Sequence, residues 1–175
     1  FRSPSFLNKY ELVINCDPFN FITRRYFSKK ISKKYNSTAY TTIISHDKII
    51  NDALQSAKKI AKHLDYVGTM TVEYFINQNN DLLVNEIAPR VHNSGHLTIN
   101  AFNVSQFEGH IRAVCDLKII PPGIICKSAE MINILGKEIE EYRSKTFREG
   151  EFFFDYGKKK IKDKRKMGHL TILKK

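Results

Sequence analysis

Residues 71–90 read TVEYFINQNNDLLVNEIAPR. Two runs rich in β-branched and aromatic residues, 69–76 (TMTVEYFI) and 81–87 (DLLVNEI), flank the polar tetrapeptide Asn77-Gln78-Asn79-Asn80. That pattern predicts an antiparallel hairpin. Pro89 closes its second strand. If Ile76 pairs with Asp81, Glu73 falls opposite Val84 and Glu86 opposite Thr71. Thr71 and Glu73 are two residues apart and share a face. Glu73 and Glu86 then project from that face, roughly 7–8 Å apart along a diagonal. Two such carboxylates are either surface acids on a solvated sheet or a pair able to share a divalent ion. Magnesium takes one or two carboxylates together with substrate phosphates. The second strand runs on into Arg90, His92, Asn93, Ser94 and His96, in a loop punctuated by Pro and Gly. An arginine beside a metal–phosphate site is a natural clamp for phosphoryl or carboxylate groups, which favours the second reading.

Working outward, 45–64 has apolar residues at helical spacing: Ile50, Ala53, Leu54, Ala57, Ile60, Ala61 and Leu64. Ser45 or Asp47 can cap this helix. Residues 105–115 predict a second helix, with Ser105 and Glu108 at capping-box spacing and Phe107, Ile111, Val114 and Cys115 as its buried face. Strands are expected at 10–16 (YELVINC), around 40–44 (YTTII), and at 129–135, 151–156 and 169–173. Residues 21–44 are the hardest stretch to read. Pro121-Pro122-Gly123 reads as a linker. The fold class is α+β, with two helices on a mostly antiparallel sheet.

The composition is that of a globular chain, with 42% hydrophobic and 11% aromatic residues in 175. No apolar run reaches the roughly 20 residues that span a membrane, and FRSPSF at the start predicts no signal peptide. The first residue is Phe rather than Met, compatible with a piece of something longer. Cys16, Cys115 and Cys126 match no zinc or disulfide spacing and read as buried free thiols of a reducing cytosol. The net charge is +11, concentrated in 24–34 (RRYFSKKISKK) and 158–166 (KKKIKDKRK). Nucleic-acid binding, a phosphate site and a merely solvated surface all remain open for such clusters.

The runs VEYF, LLVNEIAPRVHNSGH and SQFEGHIRAV, with MINILG at 131–136, YGK at 156–158 and RKMGH at 165–169, closely resemble the N5-carboxyaminoimidazole ribonucleotide synthases, ATP-grasp ligases of purine biosynthesis. The similarity extends with gaps from about Glu11 to Leu173. It implies the C-terminal lobe of an ATP-grasp fold, an antiparallel sheet with two packed helices, followed by a small β-rich lobe. The implied boundaries are 1–118 and 124–175 with a linker at 119–123. The implied reaction uses ATP and bicarbonate to carboxylate aminoimidazole ribonucleotide, through carboxyphosphate. By resemblance, Glu73 and Glu86 hold magnesium on ATP, Glu11 and Asn85 join Glu86 at the nucleotide, and Arg90 steadies bicarbonate or carboxyphosphate. His92, Asn93 and Ser94 line the ribonucleotide pocket, and Lys158 and Arg165 bind its phosphate. A cytoplasmic homodimer is implied, without membrane or nucleic-acid partners. Ala88 stands where biotin-carboxylase-like sites carry Asn, which points away from that branch.

The resemblance is incomplete. These 175 residues hold no Gly-rich phosphate loop. RSPSF at 2–6 stands where the adenine hinge is expected, and ISKKYNST at 31–38 lacks the family's His and Gly. The family's leading domain, small lobe and final helices have no counterpart here. The expectation is one wall of an ATP cleft, inactive by itself: part of a split enzyme or a non-catalytic remnant. The rival reading is a basic nucleic-acid-binding module, for which no recognisable motif is present.

Overall fold

The computed structural model describes residues 8–16, 26–33, 36–41, 48–76 and 81–174; for the first three segments, and for residues 49, 50 and 76, it describes the backbone alone. Among the described residues, eight antiparallel strands form one sheet. In chain order they are β1 (Asn8–Cys16), β2 (Tyr26–Lys33), β3 (Asn36–Thr41), β4 (Gly68–Ile76), β5 (Leu82–Ala88), β6 (Ser128–Leu135), β7 (Glu151–Asp155) and β8 (Lys166–Lys174). Their order across the sheet is β5-β4-β1-β2-β3-β6-β8-β7. The C-terminal strands therefore continue the N-terminal sheet through the β3–β6 pair.

The helices are α1 (Lys48–His63), the four-residue α2 (Thr98–Ala101), α3 (Gln106–Val114) and α4 (Glu138–Ser144); a 3-10 turn covers Asn93–Leu97. Two helices were expected; α2, α4 and the turn are additional, each too short for helical periodicity to register. β2 and β3 run through the basic stretch that resisted reading. The proposed caps Ser45 and Asp47, the hairpin turn 77–80 and residues 42–44 lie outside the described residues.

α1 packs as its spacing predicts. Ala53, Leu54, Ala57 and Ala61 meet Met70, Val72 and Tyr74 of β4. Leu64 falls beyond the helix end and is exposed instead. Tyr74 is fully buried and its hydroxyl donates to the Ala53 carbonyl at 3.0 Å. Tyr74→Phe removes that bond while keeping the ring, so it should lower unfolding free energy by about 1 kcal/mol in urea titration.

β4 alternates in chemistry but not in burial. Met70, Val72 and Tyr74 face α1, while Thr69, Thr71 and Glu73 form a polar face that is buried as well. α3 covers that polar face, with Thr69 Oγ1 donating to the Gln106 carbonyl at 3.0 Å. This corrects the expected orientation of α3. Its buried side is Gln106, Gly109 and Ala113. Phe107, Ile111 and Val114 are 39%, 54% and 51% exposed, and Cys115 is exposed too rather than buried. A polar strand face at close approach calls for small and hydrogen-bonding residues, so the apolar stripe turns outward. Ser105 does cap α3, accepting from Glu108 N at 3.1 Å, but the Glu108 carboxylate pairs with Arg112 at 2.8 Å.

Two further clusters complete the core: Leu97, Ala101, Ala129 and Met131, and then Ile134, Ile139, Met167 and Leu170. They carry the loop after β5 and the β7–β8 loop on the same frame.

Candidate functional site

The polar face of β4 is where the predicted residues meet. The β4–β5 register departs from the expected one. Ile76 pairs with Leu82 and Tyr74 with Val84, and then an irregularity makes Glu73 pair with Glu86 and Thr71 with Ala88. Asn85 is the extra residue. Such a bulge shifts the pairing by one and re-aims side chains. Glu73 and Glu86 are therefore direct partners across the ladder, where Cβ atoms stand about 4.5–5.5 Å apart, rather than diagonal neighbours. On the other side of β4, Glu11 of β1 pairs with Glu73. Three acidic positions thus form one row across β1, β4 and β5.

Burial and partners differ along the row. Glu73 is 3% exposed. Asn85 Nδ2 donates to its Oε2 at 3.0 Å, and His92 Nε2 lies 3.9 Å from its Oε1. Glu86 is exposed. Asn85, expected at the nucleotide, thus orients the buried carboxylate in this structure.

The loop after β5 carries the next group. His92 caps the 3-10 turn, its Nδ1 2.9 Å from Ser94 Oγ. Asn93 points the other way, toward the C-terminal strands. Its Nδ2 donates to Asn133 Oδ1 at 2.9 Å, and its Oδ1 accepts from the Tyr156 hydroxyl at 3.3 Å. Tyr156 also lies 3.0 Å from His169 Nδ1. Lys158 Nζ stands 5.2 Å from the centre of the Tyr156 ring and donates to the Lys166 carbonyl at 2.6 Å. Asn93 and Lys158 are therefore linked through one phenol.

The two predicted arginines are turned to their own loops. Exposed Arg90 donates from a guanidinium nitrogen to the Val91 carbonyl at 2.9 Å, and exposed Arg165 to the Lys160 carbonyl at 3.1 Å. Neither is held by an acid in these contacts, and both guanidinium groups border the polar loops. His110 is a structural hydrogen-bonder: its Nδ1 accepts from Thr69 N at 3.0 Å. Gly68, at φ 127°, leaves room for that ring, since a Cβ there would lie 2.7 Å from His110 Nδ1.

Among the described residues, no three His, Cys, Asp or Glu side chains converge into a cage for a metal. A facing pair of carboxylates suits magnesium nonetheless, because that ion completes its shell with water and phosphate oxygens. The residues present fit the ion.

Sequence reasoning missed Gln106 and Asn133, both buried polar residues at the centre of these contacts. The signal for Asn133 was a lone amide inside the apolar strand MINIL; for Gln106 it was a glutamine at the start of a helix on the side taken to face water.

Burial shapes the titration of this region. It pushes Tyr156 up to about 12 and keeps the phenol protonated. It lowers His169 to about 4. His96 falls to about 4 as well, first through burial and then through the nearby charges of His169, Lys166 and His92. A histidine lowered on folding binds fewer protons than its unfolded counterpart between about pH 4 and 6.5. Stability therefore falls as pH drops through that window, for His169 by roughly 3 kcal/mol when complete. The urea midpoint should hold steady above pH 7 and decline between 6.5 and 4. A midpoint unchanged across that window would show these imidazoles to be solvated.

Comparison with known proteins follows the same division. Residues 27–107 match the ATP-grasp domain family, and residues 129–175 match the phosphoribosylaminoimidazole carboxylase C-terminal domain. The N5-carboxyaminoimidazole ribonucleotide synthase of Staphylococcus aureus (strain MRSA252) is 41% identical over 151 residues, covering 85% of this chain and 40% of that protein. The S. aureus N5-carboxyaminoimidazole synthetase crystallised with ADP superposes with a TM-score of 0.83 at 31% identity, covering 98% of this chain and 47% of that one. The Aspergillus clavatus N5-carboxyaminoimidazole synthase, crystallised with ADP and 5-aminoimidazole ribonucleotide, superposes at 0.82 with 26% identity, covering 98% and 48%. The chain spans about 40% of the length of the curated relatives it matches. Among the described residues, no helix is long and apolar enough to cross a membrane. Over the part of their length that it spans, the chain is similar to the N5-carboxyaminoimidazole ribonucleotide synthases, its two matched segments being those of an ATP-grasp domain and of a phosphoribosylaminoimidazole carboxylase C-terminal domain.

Proposed function

We propose that this chain carries the carboxylate wall of a site for ATP-dependent carboxylation of 5-aminoimidazole ribonucleotide by bicarbonate. The observation that supports this most is the ladder pairing of Glu73 with Glu86 beside the His92–Ser94 loop. Glu73 and Glu86 would hold Mg2+, which when bound neutralises charge on the ATP phosphates. Asn85 fixes the Glu73 carboxylate, and Glu11, whose backbone is next in the row, belongs to the nucleotide side of the site. Arg90 is the cation for bicarbonate, whose developing negative charge a preplaced guanidinium stabilises. His92, Asn93 and Ser94 line the ribonucleotide pocket. Lys158 and Arg165 bind its phosphate, a dianion suited to paired cations.

The two-lobe division, 1–118 and 124–175 joined by 119–123, belongs to this proposal, supported by the Pro-Pro-Gly run. So do a cytoplasmic setting and a homodimer. The exposed Phe107, Ile111 and Val114 stripe is compatible with a covered face in a larger assembly.

The test is a chimera in which residues 8–174 replace the matching part of the S. aureus relative. ATP cleavage dependent on the ribonucleotide is expected. Lys158→Ala should raise KM for the ribonucleotide about tenfold or more while leaving KM for ATP near its starting value. Equal effects on both substrates would mean that the phosphate and nucleotide subsites are misassigned.

A further inference from the structure

Gln106, the first residue of α3, is 2% exposed and every polar group on it is engaged. Its backbone N–H donates to Thr98 Oγ1 at 2.8 Å, and its carbonyl accepts from Thr69 Oγ1 at 3.0 Å. The side chain spans the turn. Oε1 accepts from His92 N at 2.9 Å, while Nε2 donates to the His92 carbonyl at 2.7 Å and lies 2.8 Å from His96 Nδ1.

These contacts fix the amide without ambiguity. A backbone N–H can only donate and a carbonyl can only accept, so Oε1 and Nε2 cannot be exchanged. The amide nitrogen carries two hydrogens. One goes to the His92 carbonyl, and the other meets His96 Nδ1. That ring nitrogen must therefore be an acceptor, which places the proton of neutral His96 on Nε2. Gly95 bears on the same arrangement independently. Its φ is not in the left-handed region, yet a Cβ there would collide with Gln106 Oε1 and lie 2.6 Å from Cδ. The residue is glycine to make room for this amide.

The groups packed on His96 are Phe107, Tyr156 and His169, with ring centres at 5.3, 5.8 and 5.5 Å. Lys166 adds positive charge nearby. Lys158 Nζ lies over the Tyr156 ring. The described side chains in contact with His96 are thus neutral, with the Glu73 carboxylate set beyond His92, and they suit an anion.

We infer that Gln106 is the positioning residue of this turn: it pins the His92 backbone and holds His96 as the Nε2–H tautomer, giving the turn a fixed N–H donor for an anionic ligand. The identity of that anion as the ribonucleotide rests on the proposed function; the tautomer does not.

The experiment uses the full 175-residue chain, 15N-labelled, with long-range 1H–15N correlation of the histidine rings at pH 7. The wild type should show His96 as Nε2–H. Gln106→Glu places a carboxylate oxygen against Nδ1, so His96 should take a proton there and its titration midpoint should rise by more than about one pH unit. An Nδ1–H ring in the wild type overturns the inference, as does a folded Gln106→Glu protein with unchanged tautomer and midpoint. If that variant does not fold, the wild-type tautomer decides, because it is read without substitution. Titrating aminoimidazole ribonucleotide into the same sample should shift His96 Nε2. An Nε2–H ring that ignores the ribonucleotide supports the role of Gln106 and counts against the ribonucleotide reading, so the two failures are distinguishable.

Discussion

Glu86→Gln in the chimera with the S. aureus relative should reduce kcat for ribonucleotide-dependent ATP cleavage at least ~10²-fold, the scale on which a single preplaced electrostatic group acts at a reacting centre. Glu86 is exposed, so the same change should leave the thermal unfolding midpoint within about a degree. The separation follows from position. Glu86 faces Glu73 across the ladder, and among the described residues no ion pair holds its charge. Glutamine keeps the size and removes the anion that a divalent cation requires. Raising Mg2+ should recover part of the rate if the loss is one of ion affinity. A kcat within threefold of the parent would remove Glu86 from the chemistry.

The second large effect is on stability. Gly95→Ala should lower unfolding free energy by roughly 3 kcal/mol. A Cβ at residue 95 meets the buried Gln106 amide, and overpacking of this kind costs about 1–3 kcal/mol. If the amide swings away, the His92 N–H and carbonyl lose its hydrogen bonds, at about 1 kcal/mol each. Urea denaturation measures the loss. Gly95→Ala combined with Gln106→Ala should cost little more than Gln106→Ala alone, because the atoms in collision are gone while the glycine backbone was never strained; additive losses would place the cause elsewhere.

Those two sites mark what the sequence revealed and what it did not. The hairpin was legible because its two runs and its Asn-rich turn agree. The register was not, because a bulge at Asn85 leaves no trace in a polar–apolar pattern and shifts every pair beyond it. α1 was read correctly since Ala53, Ala57 and Ala61 face an apolar strand surface. α3 was read with its buried face reversed by the same rule. Periodicity finds the apolar stripe, and here the sheet surface awaiting the helix consists of Thr69, Thr71 and Glu73. A buried polar face is itself the mark of a site, but it becomes visible only once β1 and β5 are seen to flank β4. Glu73 and Glu86 could be singled out by spacing, Arg90 and Lys158 by resemblance. Gln106 could not, since its role depends on a turn ten or more residues away in sequence.

The central claim is that Glu73 and Glu86 act together on a metal–nucleotide. Paramagnetic Mn2+ tests it most directly, added with ADP to the 15N-labelled 175-residue chain while backbone amides are followed. The account predicts selective broadening at 73 and at 85–86, dependent on both ion and nucleotide, and lost in Glu86→Gln. Broadening centred elsewhere, or unchanged in Glu86→Gln, would contradict it.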